Sequence, residues 1–436
     1  MPGESSEVKI ITDIDNSYFK LSFFDKGLPY DATLVKEFNP SNNVDSLNIE
    51  GMNLFIIKQY VTNIQWISHG NKGKEFRLLI ELPDKDIVSM LDDTEQPQEE
   101  NFVPNPKDVE IRPFKESDAI RISQAIYKTY GYTYPNEDLY YPKRIIEQNK
   151  NGELISIVSY DTKRGEVVGH YALERVPGSA IAESGQAVVA PKYRGFNLME
   201  KMRIQLEQLA KDLQLYGIMS QPVTTHIYSQ KANARFASSP CGFSFGLVPK
   251  KLSFRKIHQS LSQRESCLTY FKILKNRPHK VFIPEKHKEV IHSIYKNMEL
   301  NYEPGNTNYT IHSHQGMVKS TYSPSWGIGE IKVTQLGKSN QHDIKQALHN
   351  LLFTMKAEVI FLFIPLEDAD ITELVMDIEA YKFFFSGLIP SFFNAKDVIR
   401  FEYLNGSIDH SKINIYEERA RKLFNYILNE KEKTLK

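Results

Sequence analysis

The sequence predicts a mixed α/β fold, on three observations. Short β-branched and aromatic runs alternate along the chain with stretches whose apolar residues fall at helical spacing. One stretch, GQAVVAPKYRGFNLMEKMRIQLEQL over residues 185–209, reads directly as strand, turn and helix. The 436 residues, 41% hydrophobic and 25% charged, have an ordinary globular balance and length for two to four domains.

The totals exclude several classes. Lys plus Arg is 54 and Asp plus Glu is 54, so no net field favours nucleic acid or an anionic membrane. Cys241 and Cys267 build no disulfide framework and stand in no metal-ligand spacing, so a reducing compartment and no metal are expected. No apolar run reaches membrane-spanning length, and MPGESSEVK is no signal peptide. A cytoplasmic location is expected, with non-classical secretion left open.

Residues 1–83 form a first segment. Tyr18, Phe19, Leu21, Phe23 and Phe24 crowd a strand over 13–24, and DKGLPYD over 25–31 is a turn. A helix follows Gly51 over 55–61, and 66–68 with 75–82 make a hairpin across His69 to Gly73. Residues 84–107 are acidic, carry Pro97, Pro104 and Pro106, and read as a linker.

Residues 108–258 form the centre. A strand over 109–114 precedes a helix through Ile122, Ala125, Ile126 and Tyr130, with Asp118 as its expected cap. The loop GYTYP over 131–135 leads to Tyr140, Tyr141, Pro142 and a short helix over 143–149. A hairpin spans 154–160 and 167–173, and the strand 180–190 follows. Pro191 ends its ladder, having no N–H to give. Tyr193-Arg194-Gly195 turns into a helix with Leu198, Met199, Met202, Leu206 and Leu209 on one face. Free N–H groups at a helix start beside the Arg194 fork make an anion site. Gly217 is placed just past this helix, a strand over 218–223 follows, and Ser229 is placed as cap of the next helix.

Residues 259–436 form the third segment. Strands are expected over 266–271, 280–284, 331–336, 358–364, 383–390 and 398–404, and helices over 288–298, 343–352 and 368–380.

V-x-P-x-Y-R-G ahead of an amphipathic helix resembles the acyl-CoA motif of the GNAT acetyltransferase superfamily, and IRPFKESDA resembles that family's opening strand and helix. The resemblance implies a GNAT fold in the centre with acetyl-CoA as co-substrate. The backbone of Val188 and Val189 would run along the pantetheine arm. The turn of Arg194, Gly195, Phe196, Asn197, Leu198 and Met199 would hold the pyrophosphate, with Asn197 and Met199 where the family keeps small residues. Ser229 and Asn233 would face the cofactor. Family enzymes often carry a general base on the central strand. Glu183 is the one acid there, with a surface glutamate as the alternative reading. The family's proton-donating tyrosine has no counterpart, since Phe236 and Ser238 lie near its place. His226 and Tyr228 are the remaining candidates.

Two further resemblances extend this one. EAYKFFFSG over 379–387 resembles the end of a GNAT domain, but Leu336-Gly337-Lys338 lacks R-G-x-G. A second, degenerate GNAT-like domain without cofactor is implied. DKGLPYD, the Gly51 run and the closing hairpin resemble the later half of a GHKL ATPase domain, a partial Bergerat-type segment as in anti-sigma serine kinases. There Asp25 would contact adenine. That family's first half has no room before residue 10, and Asn53 replaces an expected glycine. ATP is therefore not expected as a cofactor, and the segment suits docking of a protein partner. The arrangement resembles a bacterial subset of GNAT proteins. The activity implied is acetyl transfer to an amine, the acceptor open and placed between the two later domains. A CoA-binding sensor without transfer is the alternative.

Overall fold

A computed structural model describes residues 7–14, 18–28, 38, 51–81, 102–132, 134, 136–250, 263–305, 315–368 and 371–434. The chain divides into two compact units, Met1–Phe102 and Val103–Lys436. The junction expected at 258 lies inside the second unit. Most of the linker read over 84–107, and Pro29 to Asp31 of the DKGLPYD turn, lie outside the described residues.

In the first unit the strand expected over 13–24 is a hairpin, β1 (Lys9–Ile14) with β2 (Tyr18–Asp25). Helix α1 (Met52–Tyr60), β3 (Asn63–Ser68) and β4 (Lys74–Glu81) follow, and the sheet order is β1-β2-β4-β3. Phe76 packs on Trp66 at 4.1 Å and on Phe23 at 6.1 Å between ring centres. The Asp25 carboxylate is occupied: it accepts from the Gly27 N–H at 2.7 Å and pairs with Lys74 at 2.8 Å.

The second unit opens with β5 (Val109–Pro113), α2 (Ala119–Tyr130), α3 (Pro142–Lys150), β6 (Leu154–Asp161), β7 (Glu166–Arg175) and β8 (Ile181–Val189). Then come α4 (Leu198–Asp212), β9 (Gly217–Ser220), α5 (Tyr228–Arg235), β10 (Ser239–Val248) and β11 (Glu265–Ile273). The rest is β12 (Lys280–Val281), α6 (Lys288–Met298), β13 (Glu303–Pro304), β14 (Met317–Ser323), β15 (Ile328–Gln335), α7 (Asn340–His349) and β16 (Val359–Pro365). It ends with α8 (Ile371–Glu379), β17 (Phe384–Phe393), β18 (Lys396–Leu404) and α9 (Glu418–Thr434).

Among the described residues twelve strands form one sheet, in the order β5-β6-β7-β8-β9-β11-β10-β17-β18-β16-β15-β14. From the β10–β17 join outward, both halves follow one pattern. Two antiparallel pairings are succeeded by a parallel one, β9 with β8 or β16 with β15, and then by an antiparallel one. A parallel pair needs a crossover, which α4 supplies in one half and α7 in the other.

Alternation along the strands sorts two cores in the first half. Ile157 packs with Tyr171, Met202 and Leu206 under α4, while its neighbour Val158 packs with Ile122, Ile126 and Val188 under α2.

Three local expectations are corrected. Asp118 does not cap α2 with its side chain. Its carboxylate instead takes the buried Arg112 guanidinium at 2.6 and 2.9 Å and the Lys115 N–H at 2.8 Å. Gly217 begins β9, and Gln214 takes the left-handed conformation after α4, φ 57°. Ser229 lies within α5, whose flanking residue is Ile227.

Candidate active site

The site begins as a fork between two parallel strands. β8 pairs with β9 at Ile181–Gly217, Ala182–Ile218 and Glu183–Met219, and at no further position among the described residues. The cause lies in the sequence after Ser220. The Pro222 carbonyl accepts from Leu268 N–H and Val223 bridges Cys267, so the chain follows β11 away from β8. Residues 184–189 thus present an open strand edge, a template for another amide-bearing chain. In the other half β15 and β16 stay paired through five positions, from Ile328–Val359 to Lys332–Phe363.

A bulge shapes the open edge. His170 pairs with Val188 but Ala172 with Gly185, so β8 holds one extra residue, and Gln186 adopts φ 57°. The His170 Nδ1–H donates to the Gln186 carbonyl at 2.9 Å, and its Nε2 accepts from the Ser156 hydroxyl at 3.0 Å. Burial pushes the His170 pKa down to about 4, so the ring is neutral at physiological pH. The Tyr130 hydroxyl donates to the Ala187 carbonyl at 3.3 Å. Nothing local marks Gln186 for this conformation; His170 shows in the sequence only as a polar residue within an apolar strand.

The turn after the edge is anchored by Tyr193, whose hydroxyl donates to buried Asp161 at 2.6 Å. Arg194, Gly195 and Asn197 are exposed, and Gly195 (φ 91°) and Asn197 (φ 58°) both take positive φ. Asn197 thereby supplies the backbone that a glycine would give. The Asn197 side chain makes no cap bond to α4, which leaves the helix's first N–H groups to an anion. Leu198 is buried, and Met199 packs against the apolar cluster under α4. Phe196 meets Tyr193 edge-on at 6.1 Å.

On the other face of β8 lies a cavity of about 610 Å³, lined by Tyr134, Asp138, Glu174, Glu183, Gln186 and Gln221 among others. Glu183 is half-buried and accepts from the Gln221 amide at 3.1 Å. Burial, with the neighbouring Glu174 charge adding to it, pushes the Glu183 pKa up to about 7, while the Gln221 bond works against this. Burial likewise raises Glu174, which Gln186 contacts at 3.4 Å. A second cavity of about 380 Å³ shares Glu174, Glu183 and Gln221 and is closed by Glu330, Phe361 and Arg400 from the other half. Tyr132 lies between Tyr127 and Tyr140, and Tyr134 against Tyr130, all in tilted ring contacts. Thr133 and Pro135 of this loop lie outside the described residues.

The remaining candidates sit apart from Glu183. His226 and Tyr228 meet at 5.4 Å at the start of α5, Tyr228 is 75% exposed, and neither lines these two cavities. Asn233 ties α5 to β9, accepting from Ser220 Oγ at 2.5 Å and donating to the Ser229 carbonyl at 3.0 Å. The Ser229 hydroxyl is buried without a partner among the described residues. The chain near Asn414 covers this loop: Gln230 donates to Asn414 O at 2.8 Å and accepts from Tyr416 N–H at 2.9 Å.

No known family model and no curated protein matches the chain. Structural neighbours include GNAT-family acetyltransferases, and each of the three named next covers 38% of this chain. Ribosomal-protein-S5-alanine acetyltransferase from Vibrio fischeri is 17% identical, covered over 93% of its length, with a TM-score of 0.31. An N-acetyltransferase from Staphylococcus aureus Mu50 is 14% identical, covered over 99%, with a TM-score of 0.33. A GNAT superfamily phosphinothricin acetyltransferase from Sinorhizobium meliloti, in complex with AcCoA, is 12% identical, covered over 89%, with a TM-score of 0.32. Likeness at this level carries no weight for function. Among the described residues no helix is long and apolar enough to cross a membrane.

Proposed function

We propose that the chain is an N-acyltransferase that moves an acetyl group from acetyl-CoA to an amine. The observation that carries this reading is the fork: β8 and β9 part after Glu183–Met219, directly before an uncapped helix start flanked by Arg194. The pantetheine arm has two amides and pairs with the open edge of residues 184–189. The diphosphate meets the first N–H groups of α4 and the Arg194 fork. The amine enters by the cavity on the opposite face, where Glu183, poised near pH 7, removes a proton. Holding both reactants on one strand supplies much of the acceleration. In this reading 108–258 is the catalytic GNAT domain, with β11 of the following segment inserted between its β9 and β10. Residues 259–436 are a cofactor-free GNAT-like partner that closes the acceptor cavity, and 1–83 docks a protein partner. The enzyme works in the cytoplasm, without metal or ATP.

A second reading is a CoA sensor without transfer. Exposed Tyr228, and Phe236 near the place of the family's proton donor, favour it. Calorimetry with acetyl-CoA and a thiol-release assay over peptides, polyamines and aminoglycosides separate the two. Thiol release with any amine supports the enzyme; binding without release supports the sensor; no binding refutes both.

A further inference from the structure

The crotch of the fork holds a buried cation that the family motif does not call for. Arg203, on the second turn of α4, is 1% exposed. Its Nη1 donates to Ser184 Oγ at 2.8 Å and to the Tyr171 hydroxyl at 3.2 Å, and its Nε to Glu207 at 2.9 Å. Its Nη2 is buried and has no partner among the described residues. The guanidinium carbon lies 5.3 Å from the centre of the Phe236 ring. Ser184 is the first residue of β8 beyond the last pair with β9, and Phe236 ends α5. The guanidinium therefore lies between Ser184, where β8 and β9 part, and the ring that follows α5.

The local charge does not close. Glu207 is shared, since its second oxygen pairs with Lys272 at 2.8 Å, and Lys272 also donates to the Phe236 carbonyl at 2.7 Å. Two cations face one carboxylate, and the remaining partners, Ser184 and Tyr171, are neutral. Glu207 and Lys272 are partly exposed, but Arg203 is buried, shares its one carboxylate and keeps one unused donor, an arrangement suited to an anion it does not itself contain.

Resting on the acyltransferase reading above, we propose that Arg203 stabilises the thiolate of coenzyme A as it departs, in place of a proton-donating tyrosine. The neutral amine's lone pair forms the new C–N bond and the C–S electron pair moves to sulfur. One proton of the former amine passes to the Glu183 carboxylate. The coenzyme leaves as the thiolate, held by Arg203 Nη2, and is protonated afterwards from solvent as Glu183 releases its proton. No acid is then required at the sulfur during bond cleavage, and the mutual positions of Phe236 and exposed Tyr228 cease to be an obstacle.

The test titrates the thiol of CoA bound to the full chain, followed by thiolate ultraviolet absorbance, with desulfo-CoA affinity as control. Bound to the wild type, the thiol should ionise at least one pH unit below free CoA, a tenfold change in its ionisation constant. In R203Q the shift should vanish while desulfo-CoA affinity stays within about twofold, and R203K should retain part of it. A purely structural arginine would change desulfo-CoA affinity without moving the thiol. An unshifted thiol in the wild type, or an undiminished shift in R203Q, overturns the inference. Should R203Q fail to fold, the wild-type titration and R203K decide alone. Failure of the wild type to bind desulfo-CoA at all would instead refute the cofactor site on which the inference stands.

Discussion

Gly242 of β10 faces Gly387 of β17 across the join between the two halves of the large sheet. A Cβ on Gly387 would lie 2.6 Å from the Gly242 Cα and 2.7 Å from the Cys241 carbonyl; one on Gly242 would lie 2.8 Å from the Ser386 carbonyl. Only two residues without side chains permit that approach. The join matters to the site because it carries Glu330, Phe361 and Arg400 to the wall opposite Glu183.

Substituting Gly387→Ala should therefore destabilise the second unit. The added methyl meets backbone on two sides, and φ is 147°, which L-residues rarely adopt. A cost of about 2–4 kcal/mol is expected from overpacking and backbone strain together, read as a lowered denaturation midpoint at unchanged slope. An unchanged midpoint would contradict the close seam.

Arg194→Ala should weaken CoA binding about tenfold by calorimetry, because it removes a charge-assisted contact to phosphate. The effect should shrink with added salt, since Arg194 is exposed.

Glu183→Gln should lower kcat by about 10²–10³ and abolish the rise of rate with pH through about 7, since only the ionised carboxylate accepts the proton. Stability provides a check without substrate. A carboxyl raised from 4.5 to about 7 contributes fully below 4.5, and that contribution is lost as pH rises through 7. The variant should therefore gain on the wild type between those values, by up to about 3 kcal/mol. Parallel stability curves would show that Glu183 is not held protonated.

His170 gives the opposite sign. Its pKa is depressed from 6.5 to about 4, so its contribution is complete above 6.5 and is lost as pH falls through 4. His170→Asn should cost about 1–3 kcal/mol at neutral pH through the unpaired Gln186 carbonyl, and should flatten the acid limb of the stability curve. It should also weaken acetyl-CoA binding, because the bulge sets the open edge.

Much of this architecture is legible from the residues. The β8–turn–α4 unit shows itself through Pro191, Gly195 and an apolar stripe from Leu198 to Leu209, all local signals. The helix over 288–298 and the apolar strand over 358–364 are found for the same reason. What escapes is long-range or unsigned. The Gly242–Gly387 pairing spans two segments that local periodicity treats as unrelated. β1 and β2 merge into one aromatic run because the chain between Ile14 and Tyr18 carries no glycine or proline. Helix α9 buries Ala420, Leu423, Phe424 and Ile427, an i, i+3, i+4, i+7 stripe that local periodicity could have shown. Arg203 could have been found: it lies four residues after Met199 and three before Leu206, a charge on the buried face of its helix. Glu183 is visible as an acid, but its poise near 7 depends on Glu174, Gln221 and a wall from another part of the chain.

The central claim is that the fork between β8 and β9 takes coenzyme A, and amide hydrogen exchange of the full chain with and without acetyl-CoA tests it most directly. Protection is predicted at residues 184–189 and 195–200 and not along the closed pair β15–β16. Equal exchange at 184–200 in the presence and absence of saturating acetyl-CoA would contradict it.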